Sequence, residues 1–245
     1  MSKHVPAFKK RTVAHFKYYI GGWIGWDKFK RDYESVQDWK AKSYMACLFA
    51  LGCRVSEIRT LVPRQINTEY ALDPNYVEIK QMYVEKQREW IQVIGEDGKP
   101  IIMPNGKNKL ESNSIPDYRT FIIHKTEWTT GVLLDMAKWA IDIEIRKGTK
   151  NPEEQPIFTD SRFSIYYHLS KIRADEDKSK KWNENKGIYH PHMIRSLRAS
   201  LLAGNYRYTI PQMMKFFGWK DENMPLEYAS LTAENLIINP QYAPK

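Results

Sequence analysis

The chain has 245 residues and 29.0 kDa, with 42% hydrophobic and 27% charged residues, enough apolar material for a packed core and too much for wholesale disorder. No apolar run approaches the ~20 residues of a membrane helix, the N-terminus lacks a signal-sequence core, and two cysteines, Cys47 and Cys53, exclude a disulfide framework or a four-cysteine zinc site. The formal net charge of +9 is concentrated: residues 1–26 carry +5 and 178–220 carry +8, whereas 27–177 carry −1 and 221–245 carry −3.

Along the chain, Trp26, Phe29, Tyr33, Val36, Ser43, Cys47 and Ala50 recur at helical steps and predict one long helix ending at Leu51-Gly52. The two cysteines read as small core residues. A short helix is expected from about Arg54 to just before Pro63. The pattern then turns to strands: Tyr76–Ile79, Trp90–Ile94, Pro100–Met103 after an Asp97-Gly98 hairpin turn, and Arg119–Ile123. Between the last two lies a polar stretch from Pro104 to Lys109. Helices follow from Thr129 to about Ile141, from Ile165 to Arg173, and at about 192–204, 209–217 and 224–230. Residues 174–186 form a polar loop. Pro211 suits a first helical turn, and Gly204 and Gly218 suit helix ends. Met213, Met214, Phe216 and Phe217 read as core, and His124, His168 and His190 as structural or loop residues. The fold class expected is mainly α with a small antiparallel β-sheet (α+β).

Two basic patches on a neutral body are the footprint of a polyanion binder. The chemistry concentrates at His192-Met193-Ile194-Arg195, where an i, i+3 spacing puts His192 and Arg195 on one helix face. Arginine offers a planar fork to two phosphate oxygens, and histidine passes a proton near neutral pH. Gly218-Trp219 follows 24 residues after Arg195, and Tyr228 nine after Trp219. Far upstream, the run from Ala50 to Leu61, ALGCRVSEIRTL, sets Arg54 at the opening of a short helix.

Taken in order, these boxes resemble the tyrosine recombinase (phage-integrase-like) family across roughly residues 27–230. The resemblance implies that Arg54 and Arg195 hold the non-bridging oxygens of a scissile phosphate, with Glu57 orienting Arg54. It implies that Trp219 supports that site, His192 assists removal of the tyrosine proton, and Tyr228 attacks phosphorus to form a 3′-phosphotyrosyl bond. A hairpin lysine would protonate the leaving 5′ oxygen; Lys107 matches best, Lys109 nearly as well, and Lys99 is a distant third.

Physical chemistry agrees with such an assignment. A phenol with a pKa of about 10 attacks poorly at neutral pH without cations and a base. Charge gathering on the equatorial oxygens is stabilised by preorganised guanidiniums. Neither a metal-binding cluster nor a GxxxxGK[ST] loop is present in the sequence, so no metal, ATP or other cofactor is expected. The expected partner is double-stranded DNA, bound by a homo-oligomer, a tetramer on paired sites, and not a membrane. The expected setting is the cytoplasm of a prokaryotic cell or its virus or plasmid.

Residues 1–26 are too short for the separate helical DNA-clamping domain usual in the family. They are expected to form a basic arm with Lys9, Lys10 and Arg11 on DNA, followed by a catalytic domain at 27–230 and a tail at 231–245. Arg198 and Arg207 are further candidate backbone contacts, and Tyr206 and Tyr208 flank the latter. Ser196-Leu197-Arg198-Ala199 departs from the His-Thr-x-Ala common after the second arginine. The competing expectations are a type IB topoisomerase-like relaxing enzyme and a non-cleaving DNA-binding protein of the same fold. An RNA-binding module is disfavoured by the lack of an RNP signature or GXXG loop.

Overall fold

The computed structural model describes residues 24–84, 89–113, 117–170, 172, 189–204 and 206–226, with the backbone alone at 24–28, 89, 90, 112 and 113. The architecture is mainly α-helical with small antiparallel sheets.

The apolar stretch expected as one long helix is two, α1 (Ile24–Ser35) and α2 (Trp39–Leu51). The break has a local cause. Asp38 adopts an extended conformation and its carboxylate accepts from the backbone N–H groups of Lys40 and Ala41, so a new helix starts there. From Ser43 to Leu51 every residue of α2 is buried. Small residues such as Ala46, Cys47 and Ala50 let neighbours approach, while Met45, Leu48 and Phe49 fill the space between. Both cysteines are free and buried, as expected of core residues. Packed around α2 are α4 (Trp128–Arg146), α5 (Arg162–Ser170) and α6 (Pro191–Gly204), which makes α2 the axis of the core.

After α2 the one-turn helix α3 (Val55–Ile58) leads into the sheet, whose strands β1 (Ile66–Asn67), β2 (Tyr76–Val84) and β5 (Asp117–His124) lie in the order β1-β2-β5, all antiparallel. Along β2, Val77 and Ile79 point to the core, and then the parity flips so that Met82 and Val84 do. The flip is a β-bulge between Ile79 and Met82, where Gln81 takes φ +49°. On β5, Arg119, Phe121 and Ile123 alternate inward without interruption. The bulge turns Met82 inward opposite Arg119, which the alternation of β5 itself sends into the interior.

A second two-stranded sheet pairs β3 (Glu89–Gln92) with β4 (Leu110–Asn113). The strand expected over Pro100–Met103 is instead a pair of isolated bridges, Ile94 to Pro100 and Ile102 to Asn108. These bound two tight turns, with Gly98 at φ +72° and Gly106 at φ +77°. Strand β4 was hidden in the sequence by its polar composition. The last helix of the core, α7 (Ile210–Phe217), has Thr209 as N-cap and Pro211 in its first turn, and stops at Gly218 with φ +66°. Met213, Phe216 and Phe217 are buried, and Met214 packs against them. A helical turn at 223–226 opens the last predicted helix, the rest of which lies outside the described residues. Among the described residues, no helix is long and apolar enough to cross a membrane.

Candidate functional site

Two helix ends and one helix start build the site. Helix α2 stops at Gly52, whose φ of +54° reverses the chain so that Arg54 becomes the N-cap of α3. Three residues on, Glu57 folds back. Its Oε2 accepts from the Arg54 backbone N–H at 2.9 Å, and its Oε1 accepts from the Arg54 guanidinium at 2.9 Å. The carboxylate is fully buried, and two further guanidiniums face it, Arg119 at 3.5 Å and Arg195 at 3.6 Å. Three cations around one anion leave a formal excess of two positive charges at this point in the fold.

Helix α6 supplies His192 and Arg195 from one face, as the i, i+3 spacing requires. Arg195 is buried, and its Nη1 donates to the Gly52 carbonyl at 2.6 Å while its Nη2 donates to the Phe217 carbonyl at 2.9 Å. Arg119 is held in the same manner. It donates to the Leu51 carbonyl at 3.1 Å and to the Phe216 carbonyl. Both arginines therefore sit against the C-terminal ends of α2 and α7, where unsatisfied carbonyls concentrate negative charge. Sequence reasoning read Arg119 only as a strand residue. The available signal was a charged side chain at a core-facing parity in an otherwise apolar alternation.

Arg54, Ser56, Arg162, Tyr166, His192 and Arg195 line one cleft of about 310 Å³, including the space open to solvent. Residues 54 and 195 thus meet across 141 positions of sequence, as the resemblance required. Arg195 lies at the floor and Arg54 is partly exposed at 32% of its side chain. Burial, together with the charges of Arg119 and Arg54, pushes the Arg195 guanidinium down to about 10, and Glu57 opposes that shift. It remains protonated at neutral pH. His192 lies at the surface edge of the cleft. Desolvation first, and then the charges of Arg195, Arg54 and Arg162, hold its pKa below the ordinary histidine value. The result is a neutral imidazole beside fixed cations, a combination that binds an oxyanion and takes up a proton.

Trp219 is almost buried. Its ring stacks on Phe217 at 4.4 Å, and the Arg195 guanidinium lies 5.6 Å from its centroid. It packs against Arg195 and does not itself line the cleft. Lys107 sits in the exposed turn between Ile102 and Asn108, and Lys109 pairs with Glu111 at 3.4 Å; neither lines the cleft. Arg207 is exposed with φ +52°, beside exposed Tyr206. Tyr228, Lys9, Lys10 and Arg11 lie outside the described residues.

One candidate contact is corrected. Arg198, expected near the DNA backbone, is 1% exposed and pairs with Glu127 at 2.8 Å between the rings of Phe49 and Phe216. One turn beyond Arg195, its position on α6 points it into the core, not toward the cleft. His168, read as structural, proves to have a partner in Asp38 at 2.6 Å. Arg162 and Tyr166 were not singled out in the sequence.

No family model and no curated protein sequence matches the chain. Solved structures do. A XerA recombinase is 16% identical with a TM-score of 0.52, the match covering 89% of this chain and 64% of that one. A XerH site-specific recombinase, in a post-cleavage complex with a palindromic difH substrate, is 15% identical with a TM-score of 0.50, covering 88% of this chain and 50% of that one. The chain thus spans between about half and two thirds of the length of these proteins. The likeness gives the fold, which is that of the tyrosine recombinase catalytic domain.

Proposed function

We propose that the protein is a tyrosine-type DNA strand transferase, a site-specific recombinase or integrase that cuts and rejoins double-stranded DNA. The observation that carries this reading is the convergence of Arg54 from the α3 turn with His192 and Arg195 from α6 on one cleft, both arginines facing the buried carboxylate of Glu57. Arg54 and Arg195 neutralise the non-bridging oxygens of the scissile phosphate, and Glu57 keeps both guanidiniums in register. Tyr228 attacks phosphorus as the 5′ oxygen leaves, so the P–O bond to DNA is exchanged for a P–O bond to tyrosine. His192, neutral at pH 7, takes the phenolic proton. Lys107, or Lys109 from the same hairpin, protonates the leaving oxygen.

The exchange conserves the phosphodiester's energy, so resealing by the 5′ hydroxyl needs neither ATP nor another cofactor. Trp219 packs on Arg195 and helps hold its guanidinium in place beside the cleft. The basic arm with Lys9, Lys10 and Arg11, together with Arg207, binds the DNA backbone, and a tetramer pairs two sites.

A nicked suicide duplex tests the reading. Wild-type protein is expected to form a covalent adduct that survives denaturing gels, and Tyr228→Phe none. A wild-type protein that binds DNA and yields no adduct would make it a non-cleaving DNA-binding protein instead. Relaxation of supercoiled plasmid by monomers, without strand exchange between paired sites, would point to a topoisomerase-like enzyme.

A further inference from the structure

Among the described residues, the cleft contains one cation that the proposed chemistry leaves without a task. Arg162, the first residue of α5, is exposed at the cleft rim, and its guanidinium lies 5.7 Å from the ring centroid of Tyr166 one turn later. Tyr166 is itself half-buried against the core, so the ring is a fixed platform. Among the described residues, no carboxylate lies within ion-pairing distance of Arg162. In this it differs from Arg54, which shares the same cleft and is paired with Glu57.

Holding a third guanidinium beside two others is electrostatically unfavourable without a counter-anion. Arg54 and Arg195 already suffice for the two non-bridging oxygens of one phosphate. Arg195 lies at the floor, whereas Arg162 stands at the rim on a different helix, where a strand crossing the cleft would leave it.

We propose that Arg162, seated on Tyr166, is a third phosphate-binding cation that engages the phosphodiester next to the one held by Arg54 and Arg195. This rests on reading the cleft as a DNA phosphate site, and it makes α5 part of the DNA-contacting surface. The position has a second effect. The charges facing His192 are Arg195 on its own helix, Arg54 and Glu57 from the α3 turn, and Arg162 from α5. Removing Arg162 therefore makes the imidazole easier to protonate.

The test uses the full chain with Arg162→Gln, which keeps the side-chain stem and removes the charge, and Arg162→Lys as the conservative variant. Binding to a duplex of random sequence is measured from 50 to 200 mM salt. Each lost phosphate contact lowers the slope of log K against log salt by about 0.9, so Arg162→Gln is expected to lose about 3.5-fold less affinity than wild type over that range. Arg162→Lys should restore the wild-type slope. An NMR titration of His192 in free protein should move to higher pH in Arg162→Gln and return in Arg162→Lys. An unchanged slope in Arg162→Gln overturns the proposal, whatever happens to its melting temperature. Wild type that forms no adduct in the suicide assay sinks the strand-transfer reading alone, because the slope difference is measured by binding. An active wild type with an unchanged slope in Arg162→Gln sinks the Arg162 assignment alone.

Discussion

Replacing Glu57 with glutamine isolates what holds the cleft together. The native carboxylate is fully buried and faces Arg54 at 2.9 Å, Arg119 at 3.5 Å and Arg195 at 3.6 Å. Glutamine keeps the shape and one acceptor oxygen, enough for the Arg54 backbone N–H. Among the described residues it removes the only negative side chain in contact with these three cations, two of which are themselves buried. Removing one partner of a buried ion pair costs about 3–5 kcal/mol, because the charge left behind has no solvent to turn to. The retained acceptor places Glu57→Gln near the lower end, about 3 kcal/mol. The carbonyls of Leu51, Gly52, Phe216 and Phe217 still cradle Arg119 and Arg195. For a chain of this length, that is a fall in Tm of roughly 6–12 °C. Urea unfolding followed by circular dichroism measures it, with the midpoint lowered and the slope unchanged. A variant within about 1 kcal/mol of wild type would refute the idea that this carboxylate neutralises the cluster.

The corrected position of Arg198 is tested by Arg198→Ala, which should destabilise the fold by about 3 kcal/mol by stranding Glu127 and leave the salt slope of DNA binding unchanged; a reduced slope would restore a DNA-contact role. Gly52→Ala puts a Cβ 2.5 Å from the Phe217 ring at a φ of +54°, whereas at Gly218 the nearest atoms are Val84 methyls at 3.1 Å. Denaturant melts should therefore rank Gly52→Ala, at about 2–4 kcal/mol, above Gly218→Ala, and the reverse order would contradict the packing described. With its pKa held down by burial and neighbouring cations, His192 is in its proton-accepting form at neutrality. Adduct formation should thus be level from alkaline pH through pH 7 and fall only as pH drops through the depressed value. Unfolded chains take up that proton sooner, so acid below the ordinary histidine range also costs stability. A rate that rises on acidification would remove His192 as the base.

The residues assigned to the proposed chemistry were legible where they stand at short spacings. His192 and Arg195 share a helix face because of i, i+3 geometry, and Gly218 marks the end of α7 because only a left-handed residue fits there. Where the fold departs from expectation, local polar groups or strand parity decided. Asp38 divides a continuous apolar periodicity by capping α2, a signal present in the sequence but weaker than the hydrophobic repeat around it. Leu110–Asn113 lacks β-branched residues and forms a strand because β3 lies alongside. Arg119 could be read from its core-facing parity on β5, whereas Arg162 reaches the cleft through tertiary packing that no one-dimensional pattern reveals. Arg198 shows the converse: a basic residue one turn from Arg195 reads as surface until the helix is docked.

Most of the acceptors that fix Arg119 and Arg195 are main-chain oxygens, which every amino acid possesses. Swapping the side chains of Leu51 or Phe216 for others of similar bulk leaves those oxygens where they are, so the clamp on the two guanidiniums tolerates wide drift in composition. What does not tolerate it is the pair of left-handed hinges, Gly52 and Gly218, that turn the helix ends toward the arginines. For anyone engineering this scaffold, the helices are therefore open to redesign, and the two glycines are the positions to leave alone.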